Sequence, residues 1–461
     1  MGVAPLLLAQ RTPPVVVLEK PIVWQEPQPV ALAATNADIE MTPVAVPPSP
    51  EPLPQEPVST LNDADLDLTL WPGVEKVDIG NVVARKWKIF TMLGFSATAD
   101  DNIFINDRHK EGDLYLTIAP GIAFGWGDFR GAVKQKSATD QRFEISQEEI
   151  GAERTNFLFA SYTPSWTQFL DHTDQSSLNH DLSLNAQWQF SKLATSFNTR
   201  YRSTDEANTD VGDRVHHDAF SIGLNFDYAL SDKTALSVNL HDDYNAYRNQ
   251  LNSNEFVDAN TLSYQLFPKT SVNAGLNFGV LSVEQGATQT YGQALLGAGY
   301  NATEKLTIRG NGGVELRRTP AAAGVSGGDE ISGVFGLGGS WAPFDGTSLD
   351  LDAYRRVQNS ALFPGDNFTA TSVALRVRQR LMQRLYGSLF GAFTNADYGA
   401  VSDSRFGKRQ DNTLALQCTL SFDFTKWSSI ELSYLYQENN STISDLSYSQ
   451  NVMSAHVSLF F

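Results

Sequence analysis

The chain has 461 residues, with 52 acidic against 34 basic side chains, a formal net charge of −18 at pH 7 and one cysteine. The charge argues against a nucleic-acid partner, which needs a basic surface, and the single Cys418 rules out an intrachain disulfide or a thiolate metal cluster. No run of about 18 apolar residues occurs, so no transmembrane helix is expected; a barrel escapes that criterion, because only every second residue of its strands is apolar.

The sequence divides near residue 80. The opening "MGVAPLLLAQ" reads as the end of a signal-peptide apolar region without its basic leader. Thirteen of the 20 prolines fall within the first 57 residues, as in "VAVPPSPEPLPQEP". Proline removes donors and favours extended polyproline II, so residues 1–80 are expected to form a disordered, acidic spacer. "NDADLDLTL" lacks the glycine and the distal glutamate of an EF-hand loop and is assigned no metal. Residues 81–461 form the second unit.

From about residue 88 the hydrophobic period becomes two. In "HDLSLNAQWQF", Leu182, Leu184, Ala186, Trp188 and Phe190 alternate with polar residues; "AFSIGLNFDYAL" and "TLALQCTLSFDF" repeat the pattern. Each segment therefore has one apolar and one polar face. The segments run about 10–13 residues, longer than an ordinary strand of about 5–6 and long enough for a tilted bilayer-spanning strand of about 9–11. Short connections such as "SK", "SDK" and "PFDG" alternate with long polar ones such as "STDEANTDVGDRV" and "NADYGAVSDSRFGKRQ". This predicts an all-β, antiparallel, up-and-down transmembrane barrel of about 18 strands, with 16 as the alternative, short turns in the periplasm and long loops outside. The first strand is expected at 88–99, two middle ones at 193–203 and 216–229, and the last at 448–461. The charged, poorly alternating stretch 126–154 reads as a periplasmic insertion.

In the last segment Met453, Ala455, Val457, Leu459 and Phe461 share one face, and Ser454, His456 and Ser458 the other, with Phe460 an exception at the rim. This strand is expected to pair with the first, since an unpaired sheet edge in lipid is very costly.

"GFSATADDNIFINDRHKEGDLYLTIAPGIAFGWG" carries Asp100, Asp101 and Asn102, then Asp113, Tyr115, Pro120 and Gly121. With "YNATEKLTIRGNGGVELR", "PFDGTSLDLDAYRRVQNSA" and "RVRQRLMQRLYGSLFGAF", it resembles the β-barrel porins and outer-membrane β-barrel proteins of Gram-negative bacteria. The resemblance covers about 88–461. It implies a location in the outer membrane. The ending likewise resembles an outer-membrane assembly signal, which implies that the barrel-assembly machinery reads Phe461, Leu459, Val457 and Ala455.

Catalytic signatures are absent from the sequence. His109, His172, His180, His216, His217, His241 and His456 show no HExxH spacing, and no GxSxG elbow occurs. No enzyme activity, cofactor or metal is assigned. The lumen carries more information, because 16–18 strands enclose an aqueous channel. Arg376, Arg378 and Arg380 share the polar face of one strand; Asp350, Asp352, Tyr354 and Arg356 share that of the strand before it. These residues read either as a charge ladder bracing the wall or as a charged constriction. Arg200, Arg309 and Asp227 complete the pore-lining candidates. The expected function is an outer-membrane channel for passive passage of small hydrophilic solutes or oligosaccharides, as a monomer or a homotrimer in the lipid bilayer. The alternative is an envelope scaffold or exopolysaccharide-export partner barrel without general diffusion activity.

Overall fold

The computed structural model describes residues 87–127, 133–135, 143–145, 156–284, 286–303, 305–320, 327–362, 367–400, 408–425 and 427–461. The expected spacer, residues 1–80, lies outside them. The chain runs through β1 (Trp87–Asp100), β2 (Asp113–Gly127), a short hairpin β3 (Val133–Gln135) and β4 (Phe143–Ile145), β5 (Phe157–Phe169), β6 (Ser177–Gln189), β7 (Leu193–Asn208), β8 (Asp213–Ser231), β9 (Thr234–Tyr247) and β10 (Ser253–Phe267). It continues through β11 (Thr270–Val283), β12 (Gln289–Thr303), β13 (Leu306–Thr319), β14 (Gly328–Trp341), β15 (Thr347–Asn359), β16 (Asn367–Met382), β17 (Leu385–Ala400), β18 (Lys408–Asp423), β19 (Ser428–Ser441) and β20 (Tyr448–Phe460). All but β3 and β4 form one antiparallel sheet of 18 strands, in which consecutive strands pair and β1 pairs with β20. The barrel is closed, and the hairpin β3–β4 falls within the expected insertion at 126–154.

Period two fixes which residues face out. On β2, Leu114, Leu116, Ile118, Ile122 and Phe124 are exposed, whereas Tyr115, Thr117, Ala119 and Ala123 are buried. Large apolar side chains thus cover the outside, the reverse of a water-soluble sheet and the arrangement a bilayer requires. Trp188, Phe190, Phe267, Tyr300, Trp341 and Trp427 ring the end with the short turns, and Trp166, Tyr201, Phe220, Tyr244 and Phe256 lie toward the other. Such aromatic girdles sit at membrane–water interfaces, where a ring is half solvated. No helix among the described residues is long and apolar enough to cross a membrane.

Closure follows the expected face of the last strand. Met92 pairs with Phe460 and Asp100 with Val452, and the backbones of Thr91 and Phe461 exchange hydrogen bonds of 2.8 and 2.7 Å. Met453 and Val457 are exposed outward, while Ser454, His456 and Ser458 are buried inward. Phe460 packs inward against the cluster of Met92, Phe157 and Phe159.

The strands are longer than expected at the loop end. The polar stretch 204–215 is mostly strand and not a loop: β7 runs to Asn208 and β8, with 19 residues, begins at Asp213. The apolar alternation stops at about residue 203 because the hairpin leaves the wall there. β6 pairs with β7 up to Ser203 and β9 with β8 up to His217; beyond those points β7 and β8 pair with each other alone. With no lipid on either face, nothing selects for alternating hydrophobicity, but the backbone ladder still forms.

Candidate functional site

The hairpin tip, Thr209–Gly212, crosses the lumen. Eight strands lie between β8 and β17 in one direction around the wall and six between β18 and β7 in the other, so the two pairs are nearly opposite. Asp210 ends on that far wall. Its carboxylate accepts from Tyr398 OH at 2.7 Å, the Ala361 N–H at 2.7 Å, Ser360 Oγ at 3.1 Å and Arg409 Nη1 at 3.1 Å. Arg409 also donates to the Asp210 carbonyl at 2.9 Å and to Asp411 at 2.6 Å, and its guanidinium lies 4.1 Å from the centre of the Tyr398 ring. The Arg409 side chain is 0 % exposed. A guanidinium is tolerated there because carboxylates, a carbonyl and an aromatic face surround it.

Other contacts hold the tip in place. Thr209 Oγ1 and Tyr448 OH lie 2.9 Å apart. Arg214 stacks over Phe169 at 5.0 Å. Gly212 has φ +77°, and a Cβ there would stand 2.5 Å from Leu446 Cδ2, so both backbone and space call for glycine. Neighbouring loops also fold inward. Ile103 of the β1–β2 connection packs on Tyr115, Phe169, Ala415, Leu435 and Val452, and the Leu251 N–H donates to the Ala361 carbonyl at 3.1 Å. These inward-folded segments occupy part of the loop half of the lumen.

On the turn half many of the described inner-face side chains are exposed or half-buried, and most of the sequence candidates lie there. Arg376, Arg378 and Arg380 are exposed on the inner face of β16. Arg376 lies directly across from Asp350, which accepts from Ser340 Oγ at 2.8 Å. Arg376 stacks 5.6 Å from the Phe390 ring and Arg378 4.9 Å from that of Tyr386. Such cation–π contacts hold the guanidinium heads against the wall. A Cβ on Gly338 would be 2.9 Å from Arg309 Nε and 3.4 Å from Asp352 Oδ1; the missing side chain lets these two approach. Arg356 sits higher, buried and 4.3 Å from the Tyr354 ring. Arg200 and Asp227 stand apart on the opposite wall, bound to Asp181 and to Ser237 Oγ respectively. The fold thus brings Arg309, Asp350, Asp352, Arg376, Arg378 and Arg380 onto one patch and separates Arg200 and Asp227 from it.

Of the histidines, His216 lies near Asp205 and Asp218, and His217 stacks on Tyr247 with Nε2 near Asn245 Oδ1. No cluster with the makings of a metal site occurs among the described residues. The sequence reading missed Asp210, Ser360, Tyr398 and Arg409. They lie in four separate segments, and no local spacing links them.

One loop contact at the rim depends on the charge of a histidine. His172 Nε2 lies 2.8 Å from Glu111 and Nδ1 3.1 Å from Asp113, tying the β5–β6 loop to the β1–β2 loop. The hydrogen bond to Glu111, with Asp113 adding to it, raises the His172 pKa above its ordinary value. A raised folded pKa stabilises below the unfolded value of about 6.5 and loses that contribution as pH rises through the folded value. Proteolysis of the 170–176 loop is expected to be slow at pH 6 and faster above the raised pKa. His172→Gln should remove the pH dependence; a flat profile in the wild type would contradict the tie.

The fold and its interior define a closed β-barrel of 18 strands with an apolar outer wall and a charged lumen. Residues 329–461, which contain most of β14 and all of β15–β20, match the family model described as "Putative beta-barrel porin 2". Among solved structures, the chain is similar to Acinetobacter baumannii OccAB4, at 10% identity over 82% of this chain and 99% of that one, with a TM-score of 0.43. It is also similar to Pseudomonas aeruginosa OpdK with vanillate (10% identity, 81% and 99%, TM-score 0.43). A third is P. aeruginosa OccK2 (OpdF) in complex with glucuronate (10%, 81% and 98%, TM-score 0.44). Comparison with curated proteins finds no match.

Proposed function

We propose that the protein is an outer-membrane channel of a Gram-negative bacterium for passive passage of small hydrophilic solutes, with a preference for anions. The observation that carries this reading is the water-exposed patch of Arg376, Arg378 and Arg380 within a closed 18-strand barrel. Three guanidinium groups on the lipid face would cost about 2–4 kcal/mol each near the midplane, so their place is the aqueous lumen. There, fixed positive charge concentrates anions and repels cations. Asp350 and Asp352 temper the charge and hold the ladder in place. In this reading the turn end faces the periplasm, with residues 1–80 beside it as a spacer, and Phe461, Leu459, Val457 and Ala455 direct assembly.

The latched hairpin favours a second reading, a barrel closed at rest that serves as an envelope scaffold or export partner. Single-channel recording of refolded protein in planar bilayers, with and without residues 1–80, separates the two. Anion-preferring steps of conductance are expected for both forms. Complete silence of both forms would favour the scaffold.

A further inference from the structure

The arginine patch lies on β13–β16, and the neighbouring inner wall, β7–β12, has a different chemistry. One cross-strand row runs along it. Ser196 stands across from Asn225, Asn225 from Asn239, Asn239 from Ala259, Ala259 from Asn277 and Asn277 from Gln293. Phe226 and Phe278, the next residues on β8 and β11, are exposed outward, so the row faces the lumen. None of its six members is charged. Beside it Asp227 accepts from Ser237 Oγ, and Glu315, which ends the row on β13, is held by Arg317 Nε at 2.8 Å.

Hydrogen bonds link neighbours along this row. Asn225 Nδ2 donates to Ser196 Oγ at 3.0 Å, Asn277 Nδ2 to Gln293 Oε1 at 2.8 Å and Gln293 Nε2 to Glu315 Oε2 at 2.7 Å. Two acceptors are left over: Asn239 Oδ1 and Asn277 Oδ1 have no hydrogen-bond partner, and Asn277 is 3 % exposed. An unsatisfied buried acceptor costs about 1–3 kcal/mol, so both call for a donor from outside the chain. On the turn side the adjacent inner row carries small side chains, with Ser237, Thr261 and Gly275 in register. They leave a shelf beside the amides.

The strands of such a barrel tilt by about 35–45°, so a row at right angles to them climbs obliquely along the channel. Its six positions cover five strand spacings of about 4.8 Å, about 24 Å of wall. A hydroxyl is donor and acceptor at once, and so is a side-chain amide. A chain of hydroxyls pairs with such a row step by step, whereas an ion meets no opposite charge and an apolar solute leaves the amides unpaired. Ala259, near the centre, gives a sugar ring an apolar surface to lie against. We infer that this row is a binding track for an uncharged, unbranched oligosaccharide, separate from the arginine patch. It rests on the channel reading only in taking the lumen as water-filled.

The test is isothermal titration calorimetry of the full chain folded in detergent, with maltohexaose and cellohexaose as probes and heat-modifiable gel migration to confirm folding. Saturable binding of at least one is expected. Asn239→Leu combined with Asn277→Leu should lower the affinity at least tenfold, as should Ala259→Phe, which fills the centre of the row. Asn311→Leu, at an inward amide on β13 outside the row, should leave it unchanged. The reversal potential, set by the arginine patch, should be the same in all of these proteins. Absence of binding by both sugars, or an affinity unmoved by the row variants, would overturn the track. So would an affinity lost in the triple Arg376→Ser, Arg378→Ser, Arg380→Ser variant and kept in the row variants. Conductance is measured apart from binding: a silent barrel that binds as expected removes the transport reading and keeps the site.

Discussion

Asp210→Ala is expected to raise the single-channel conductance several-fold. The hairpin tip reaches the opposite wall through this carboxylate, which gathers Ser360, Ala361, Tyr398 and Arg409. Breaking a buried ion pair by removing one partner costs about 3–5 kcal/mol. Inverting a two-state population from 1:99 to 99:1 takes about 5.5 kcal/mol. The substitution therefore suffices to make a rare unlatched state a common one. The barrel itself should persist, since the tip pairs with no other strand. A reversible version of the test uses Asp210→Cys with Ser360→Cys in a Cys418→Ser background. Conductance should be low when oxidised and should rise on adding dithiothreitol. Unchanged conductance in Asp210→Ala with intact heat-modifiable migration would mean that the hairpin does not limit passage.

Replacing Arg376, Arg378 and Arg380 together by Ser is expected to move the reversal potential toward cation preference by tens of millivolts in a tenfold salt gradient. The ceiling for perfect selectivity of one charge is about 59 mV per decade. The three residues are exposed inside the turn half, so removing them changes the field in the water path with little change in packing. Asp350 and Asp352 then dominate the patch, and the residual charge there becomes negative. The shift should shrink at high salt, where the screening length falls to about 3 Å at 1 M. Loss of folding with unchanged selectivity in the surviving channels would make the ladder a brace for the wall.

Local pattern alone determined the barrel and the facing of most of its residues, and gave about 18 strands with 16 left open; the closed sheet has 18. A strand in a wall between lipid and water must alternate, and every such strand records that demand within about ten consecutive positions, as Leu414, Leu416, Cys418 and Leu420 do. Arg376, Arg378 and Arg380 were placed by the same rule, since one face of β16 had to be polar. The tertiary structure decided what fills the lumen. Residues 204–215 read as a loop because their hydrophobic period vanishes, and that period reports contact with lipid, not the presence of a ladder. Asp210 and Arg409 are 199 residues apart and meet only because closure of the sheet sets β7–β8 opposite β17–β18. Nothing in the neighbourhood of either residue encodes that distance.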